Sequence, residues 1–434
     1  MNLVIKIVSA FIPVKGWRKK FRARFKLNQQ YKLYQSQQKE YCKIVKQIKQ
    51  KVRDGAKIRV GFFVVFDSVF PAKTIFEAMQ KDELFETYIV IIPDAARGEE
   101  NQYNQLNKSY NYFLQQYGEN AVIHSFDKSK KAFIDFSNQF DLVCFSNPYD
   151  GMTQLYYTVE YNAKKGILPF YVNYGTPTVK YVRNCVMNLP SLNLCWKIFA
   201  DTQENVNDMI CFTDLRGKNT ILSGYCKMDA LNQIQRKPLS RKKIIIAPHH
   251  TVEYPALSLS TFLDYADFFV EIYQRYPQID FVFRPHPVLF VTLAKPKLWG
   301  QKKVDEYLQK VSSFPNVEYQ NGGDYFDTFV NSSAMIHDCA SFLMEYLYTN
   351  HPVCYLLKNK NEIEKEFAPI GQKCLANSYQ AFNKTEIINF IENVVLKEDD
   401  PMKSKRTTFA KQEIMINYPN ATNVILQNIK KSFE

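Results

Sequence analysis

From residue 58 onward, short apolar runs alternate with longer amphipathic stretches, and that alternation predicts parallel strands separated by helices. Residues 58–66 (IRVGFFVVF) read as a fully apolar strand. The loop Asp67-Ser68-Val69-Phe70-Pro71 follows, then a helix over 72–79 and a second strand over 88–92 that ends at Pro93-Asp94. Further strands fit 120–123, 142–145 and 170–173. Strands with no polar face must be covered on both sides, so the pattern predicts an α/β fold with parallel sheets.

The rhythm restarts between 198 and 224, where Thr220-Ile221-Leu222 leads into Ser223-Gly224. Strands at 243–247, 280–283, 317–319, 335–336 and 353–357 then alternate with helices at 261–275, 302–311 and 342–349. A chain of 434 residues exceeds one ordinary core. Two Rossmann-like domains are expected, over 56–215 and 216–400. Residues 27–54 contain no Gly or Pro and read as a helix joining a basic amphipathic extension, 1–55, to the body. The stretch 401–434, basic and helical from Lys403, is expected to cross back to the first domain.

Polar clusters follow three of the apolar runs: Pro248-His249-His250-Thr251, Arg284-Pro285-His286-Pro287 and His337-Asp338-Cys339-Ala340-Ser341. If the runs are parallel strands, the clusters share the rim where open α/β sheets bind ligands. That rim holds four of the six histidines. Arg284 and His286, separated by one residue on a segment stiffened by two prolines, point to the same side. A guanidinium there clamps phosphate oxygens while the imidazole gives or takes a proton. His249 and His250 are adjacent, so one is expected to face the ligand and the other to be structural. Nothing in the spacing supplies a third metal ligand, and no metal is expected. Asp338 and Ser341 precede a helix and are expected to cap it, with His337 beside an anion site at its N-terminus. In the first half, Ser146-Asn147-Pro148-Tyr149-Asp150 and Asn173-Tyr174-Gly175-Thr176-Pro177 end two strands and would face the second domain's rim.

Composition narrows the classes. Hydrophobic residues at 46% suit a globular protein, and nine scattered cysteines without a C-x-x-C pair indicate neither a disulfide framework nor a zinc knuckle, hence a cytoplasmic setting. Only 14 glycines are present and no glycine-rich phosphate loop occurs, so bound phosphate must be held by side chains and helix ends. No apolar stretch is long enough to span a membrane. The net charge of +13 is concentrated in KGWRKKFRARFK, residues 15–26, with seven basic residues, no acid, and Trp17, Phe21 and Phe25 between them. Preceded by Val4, Ile5, Ile7, Val8, Phe11 and Ile12, it suits an anionic membrane interface; a solvated basic helix is the alternative. A cleaved signal would carry its charges first. No nucleic-acid-binding signature accompanies the charge, and no nucleic-acid partner is expected.

Taken together, YGTPTVK, SGYCKMDAL, APHHT, FVFRPHP and HDCASFLMEYLYTNHPVCYL, between residues 170 and 357, resemble the CDP-glycerol glycerophosphotransferase family of teichoic-acid and capsule polymer enzymes. The resemblance implies a GT-B fold, two Rossmann-like domains facing across a cleft. It implies a CDP-linked donor, with no other cofactor, and transfer of glycerol phosphate or a related polyol phosphate to a hydroxyl of a lipid-linked surface glycan at the inner face of the cell membrane. In that scheme Arg284, His286 and His249 are catalytic. Asp338, Ser341, His337, His250, Lys227, Tyr174, Gly175 and Thr176 contact substrate. Two departures stand out. The family has His-Gly-Thr where this chain has Tyr174-Gly175-Thr176, and Asp-Tyr-Ser-Ser where it has Asp338-Cys339-Ala340-Ser341. The general base is therefore open, with His249, His250 and Asp150 available. The alternative activity is sugar transfer from a nucleotide sugar on the same fold.

Overall fold

The computed structural model describes residues 15–187, 189–254 and 256–434, with the backbone alone for 15–29. The first sheet is built from β1 (Ile58–Val64), β2 (Phe85–Ile91) and β3 (Val122–His124), then, after a small hairpin of β4 (Phe126–Asp127) and β5 (Ala132–Phe133), from β6 (Leu142–Phe145), β7 (Leu168–Val172), β8 (Lys197–Ala200) and β9 (Thr220–Leu222). Its seven strands run parallel in the order β3-β2-β1-β6-β7-β8-β9. The second sheet contains β10 (Lys243–Ala247), β11 (Asp280–Phe283), β12 (Val317–Tyr319), β13 (Ala334–His337), β14 (Val353–Leu356) and β15 (Tyr379–Ala381). Its parallel order is β12-β11-β10-β13-β14-β15. Both orders reverse beside the first strand of the sheet, between β1 and β6 and between β10 and β13. Such reversals open a crevice at the carboxyl ends of the strands.

The expected two-domain α/β architecture is present, with one shift of boundary. β9 pairs with β8, so the first sheet runs through Leu222 and the second domain does not begin at 216. Three residues, Thr220-Ile221-Leu222, carry no periodicity that assigns them to one sheet or the other. The N-terminal helix, Lys15–Arg53, is partly built into the first domain. Tyr34, Tyr41, Ile44 and Ile48 are buried on it, Tyr41 donates to the Leu194 carbonyl, and Lys51 pairs with Asp141 at 2.6 Å. Val4 to Ile12 lie outside the described residues.

The chain's end crosses back. The helix Ala421–Lys430 packs on the helix Lys73–Gln80, with Lys197 Nζ donating to Asn428 Oδ1 at 2.6 Å and to Ser432 Oγ at 2.7 Å. Asp229 receives the amides of Ala421 and Thr422, so a carboxylate sits against the positive end of that helix. A second junction lies at the cleft. Thr178 accepts the amide of Ala368 at 2.9 Å and donates its hydroxyl to the Ala340 carbonyl at 2.9 Å, while Val179 bridges Phe367. Gly371 makes this approach possible, because a Cβ there would lie 2.1 Å from the Thr178 oxygen.

Asp338 fixes the rim from inside. Its carboxylate, fully buried, accepts the amide of His249 at 2.5 Å and both the amide and hydroxyl of Thr261, at 2.6 and 3.0 Å. One side chain thereby joins the end of β13 to both ends of the loop that follows β10.

Two outcomes follow. Gly371→Ala should destabilise the domain junction by about 1–3 kcal/mol, the usual cost of overpacking, seen as a lower melting temperature and faster proteolysis between the domains; an unchanged melt contradicts it. Asp338→Asn points an amide N–H at a donor, since neither Asn orientation can accept from all three groups. It should cost about 1.5–3 kcal/mol, read by thermal melting against Asp338→Glu and wild type, and wild-type stability would show the brace to be dispensable.

Candidate functional site

β10 and β11 are central strands, buried along almost their whole length. Pro248 and Pro285 follow these ends, the His286 amide donates to the Pro248 carbonyl at 2.9 Å, and the two segments lie at the crevice of the β10/β13 switch. There the imidazoles of His249, His250 and His286 meet. Ring centroids lie 4.0 Å apart for His250 and His286, 4.3 Å for His249 and His250, and 5.4 Å for His249 and His286. One nitrogen from each ring lies within 4.8 Å of the others.

This corrects the expectation that adjacent His249 and His250 diverge, and it brings His286, expected on the same rim, against both. Alternation holds only along a strand, and β10 stops at Ala247. The third ring arrives from the neighbouring strand, where no spacing in the sequence could show it.

The three rings are neutral at pH 7. Burial holds His286 down to about 3, with a smaller contribution from His250. Burial also lowers His250, and lowers His249 well below the usual range, with His250, His286 and His337 adding repulsion to a charged His249. Hydrogen bonds orient two of them. His249 Nδ1 lies 2.9 Å from Thr251 Oγ1, and His286 Nδ1 accepts the Val288 amide at 3.2 Å, which leaves the ring proton of neutral His286 on Nε2. His250 Nδ1 is buried with no partner.

The other expected residues are placed differently. Arg284 is 6% exposed and donates to Gln320 Oε1 at 2.7 Å and to the Gly323 carbonyl at 2.5 Å, with Tyr325 under its guanidinium at 5.4 Å. It holds the 320–325 loop against the rim, and this work occupies part of the fork expected to clamp phosphate. Asp338 points inward rather than capping a helix, and burial pushes its carboxyl up to about 6 although three donors pull the other way. Ser341 is exposed at the start of a four-residue helix, Phe342–Glu345, and makes no capping bond. Its hydroxyl contacts Cys339 Sγ at 3.2 Å. His337 is buried, accepts the Cys339 amide at Nδ1 and packs on Tyr355. Lys227 is paired at 2.8 Å with the buried Glu345 and donates to Tyr325 at 2.6 Å. A lone carboxylate in the apolar stretch Phe342–Leu347 was the signal for that network.

Across the junction, Tyr174 is 45% exposed and Gly175 has open space on its Cβ side. Thr176 donates to the buried Asp201. Tyr174 shares a small cleft with Phe66, Val69, Ser146 and Asn147, at the β1/β6 switch of the first sheet. Arg97, at the end of the loop after β2, lies over Phe66, pairs with the buried Asp94 and counters the burial that raises the Tyr174 hydroxyl. Neither Phe66 nor Arg97 was singled out by sequence; Pro93-Asp94 ending a strand was the available clue. Asp150 accepts the Val159 amide at 2.8 Å, and burial raises it.

A scan against protein-family models finds no match to this chain, and a search of curated proteins finds none either. Solved structures share the fold. The wall teichoic acid polymerase TagF superposes with a TM-score of 0.54 at 13% identity, over 95% of this chain and 95% of that one. The UDP-GlcNAc 2-epimerase from Neisseria meningitidis bound to UDP-GlcNAc gives 0.55 at 14% identity, over 87% of this chain and 100% of that one. The Methanocaldococcus jannaschii UDP-GlcNAc 2-epimerase in complex with UDP-GlcNAc and UDP gives 0.52 at 12%, over 86% and 100%. These likenesses and the two parallel-sheet Rossmann-like domains establish a GT-B-type fold.

Proposed function

We propose that this chain is a surface-glycan transferase that takes glycerol phosphate, or a related polyol phosphate, from a CDP-linked donor and places it on a hydroxyl of a lipid-linked glycan. The observation that carries the reading is the trio of imidazoles at the second sheet's switch point, in a chain whose fold extends along nearly the whole of TagF. Nucleotides bound to epimerases of the same fold support a nucleotide donor.

The chemistry follows from protonation. In-line attack on phosphorus expels CMP, whose phosphate is a good leaving group and needs charge stabilisation more than a proton. A neutral His286 carrying its proton on Nε2 donates a hydrogen bond to a donor oxygen. The acceptor hydroxyl needs a base, and a neutral imidazole is one at pH 7. His249, whose Nδ1 faces Thr251, and His250, with no partner on Nδ1, are suited to that role. Arg284 keeps the loop at 320–325 in place and contributes positive potential. The acceptor would enter over Tyr174, Asn147 and Arg97 in the first domain's cleft.

Sugar transfer is the second reading, favoured by the UDP-GlcNAc complexes of the same fold. Assaying CDP-polyols and nucleotide sugars for nucleotide release separates the two: CMP release from a CDP-polyol with acceptor present is expected, and release of a nucleoside diphosphate from sugars alone defeats the polyol-phosphate assignment. His286→Ala should cut turnover about a hundredfold or more with the melting temperature retained; near-normal turnover contradicts its role.

Among the described residues no helix is long and apolar enough to cross a membrane. We assign attachment to the start of the helix Lys15–Arg53, upstream of the part that Tyr34, Tyr41, Ile44 and Ile48 anchor in the first domain. Its seven basic residues between 15 and 26 each contribute about 1 kcal/mol near an anionic surface. Removing residues 1–26 should abolish cosedimentation with anionic vesicles and spare activity on a water-soluble acceptor. Full-length protein that ignores such vesicles at low salt contradicts the assignment.

A further inference from the structure

We propose that His249, His250 and His286 form a binding site for a single first-row transition-metal dication, with a fourth position open to water or an oxygen anion. Three imidazoles with one nitrogen each inside a 4.8 Å span are the donor set of an open tetrahedral site. Metal–nitrogen bonds of 2.0–2.1 Å set the donors about 3.4 Å apart in a tetrahedron, so the widest separation must close by about 1.4 Å. Side-chain rotation supplies this, because His250 and His286 are only half-buried.

The surroundings agree with a cation that prefers nitrogen. Three ring nitrogens converge on one point. Thr251 Oγ1, 2.9 Å from His249 Nδ1, can accept a hydrogen bond from Nδ1–H and leave Nε2 free to ligate, as outer partners of metal-bound histidines do. That hydroxyl oxygen also accepts the Leu259 amide, so it is held in place. The backbone of His249 is fixed by the Asp338 carboxylate, whose charge offsets part of the metal's. His250 Nδ1 is a buried nitrogen without a partner among the described residues. His286 gives up one weak bond, the 3.2 Å contact from Val288, or turns its ring. Arg284, the nearby cation in the chain, is directed at Gln320, Gly323 and Tyr325. With no carboxylate in the donor trio, Mg²⁺ and Ca²⁺ are disfavoured, and Zn²⁺, Co²⁺ or Ni²⁺ fit.

The site stands on the three imidazoles alone. Only the identity of its fourth ligand rests on the transferase reading: a donor phosphate oxygen, held by the metal in place of the His286 N–H, with the ligating nitrogens then unavailable as bases.

The test uses untagged full-length protein and Co²⁺ alone, without nucleotide. One equivalent should bind, with the visible absorption of tetrahedral cobalt and no thiolate charge-transfer band, unaffected by millimolar Mg²⁺. Each of His249→Ala, His250→Ala and His286→Ala removes a ligand and should weaken binding by at least the roughly 10–100-fold that loss of an outer partner costs. In wild-type protein, which needs no variant to fold, paramagnetic shifts should reach these three imidazoles and spare His124 and His351. Equal Co²⁺ binding by wild type and the triple variant overturns the site, as does an absence of binding or of shifts in these rings. A nucleotide-release assay is independent of every one of these outcomes, so failure here leaves the transferase reading to its own test.

Discussion

A single buried carboxylate holds the candidate site together. Asp338 stands at the end of β13 and takes hydrogen bonds from the amide of His249 and from Thr261, so the loop after β10 is tied down at both ends. Burying that charge is costly, and the cost is offset only while all three donors are aimed at it. The arrangement fixes the backbone from which His249 and His250 reach toward His286. Sheet order does the rest, because β10 lies between β11 and β13 and all three strands end on one rim.

Neutrality is the second consequence of that enclosure. Burial in a poorly solvated crevice disfavours the charged form of each ring, and neighbours 4 to 5.4 Å away add repulsion at His249 and His286. Neutral rings at pH 7 serve as bases, as neutral hydrogen-bond donors and as metal ligands. They do not serve as ready-made cations for phosphate. Positive charge at the rim therefore comes from Arg284 and Lys227, and both spend much of it on protein partners. The Lys227, Glu345 and Tyr325 network reaches Arg284 through the Tyr325 ring, linking the rim to the segment that joins the two domains.

The fold was legible wherever an apolar run was long enough. β6 and β14 announce themselves as uninterrupted buried strands and β1, β10 and β11 as buried runs with one charged residue at or near the start, and the polar clusters behind several of them mark the rim before any coordinates. What escaped was decided by partners distant in sequence. β9 joined the first sheet because β8 was there to pair with it. Asp338 turned inward because Thr261 and His249 offered three donors, whereas capping a helix of four residues offered little. Arg284 was claimed by Gln320 and Gly323, and Lys227 by Glu345, contacts that no local spacing encodes. His250 joined the cluster because strand alternation ends with the strand.

The most direct measurement of the central claim is a nucleotide titration followed at the imidazole signals, simple in a protein with six histidines. If the crevice beside β10 receives the donor's phosphates, CDP should shift His249, His250 and His286 together while His124, on the far edge strand β3, and His351 stay still. Shifts confined to His124 or His351, or none at saturating CDP and UDP, would contradict the assignment of this crevice as the donor site.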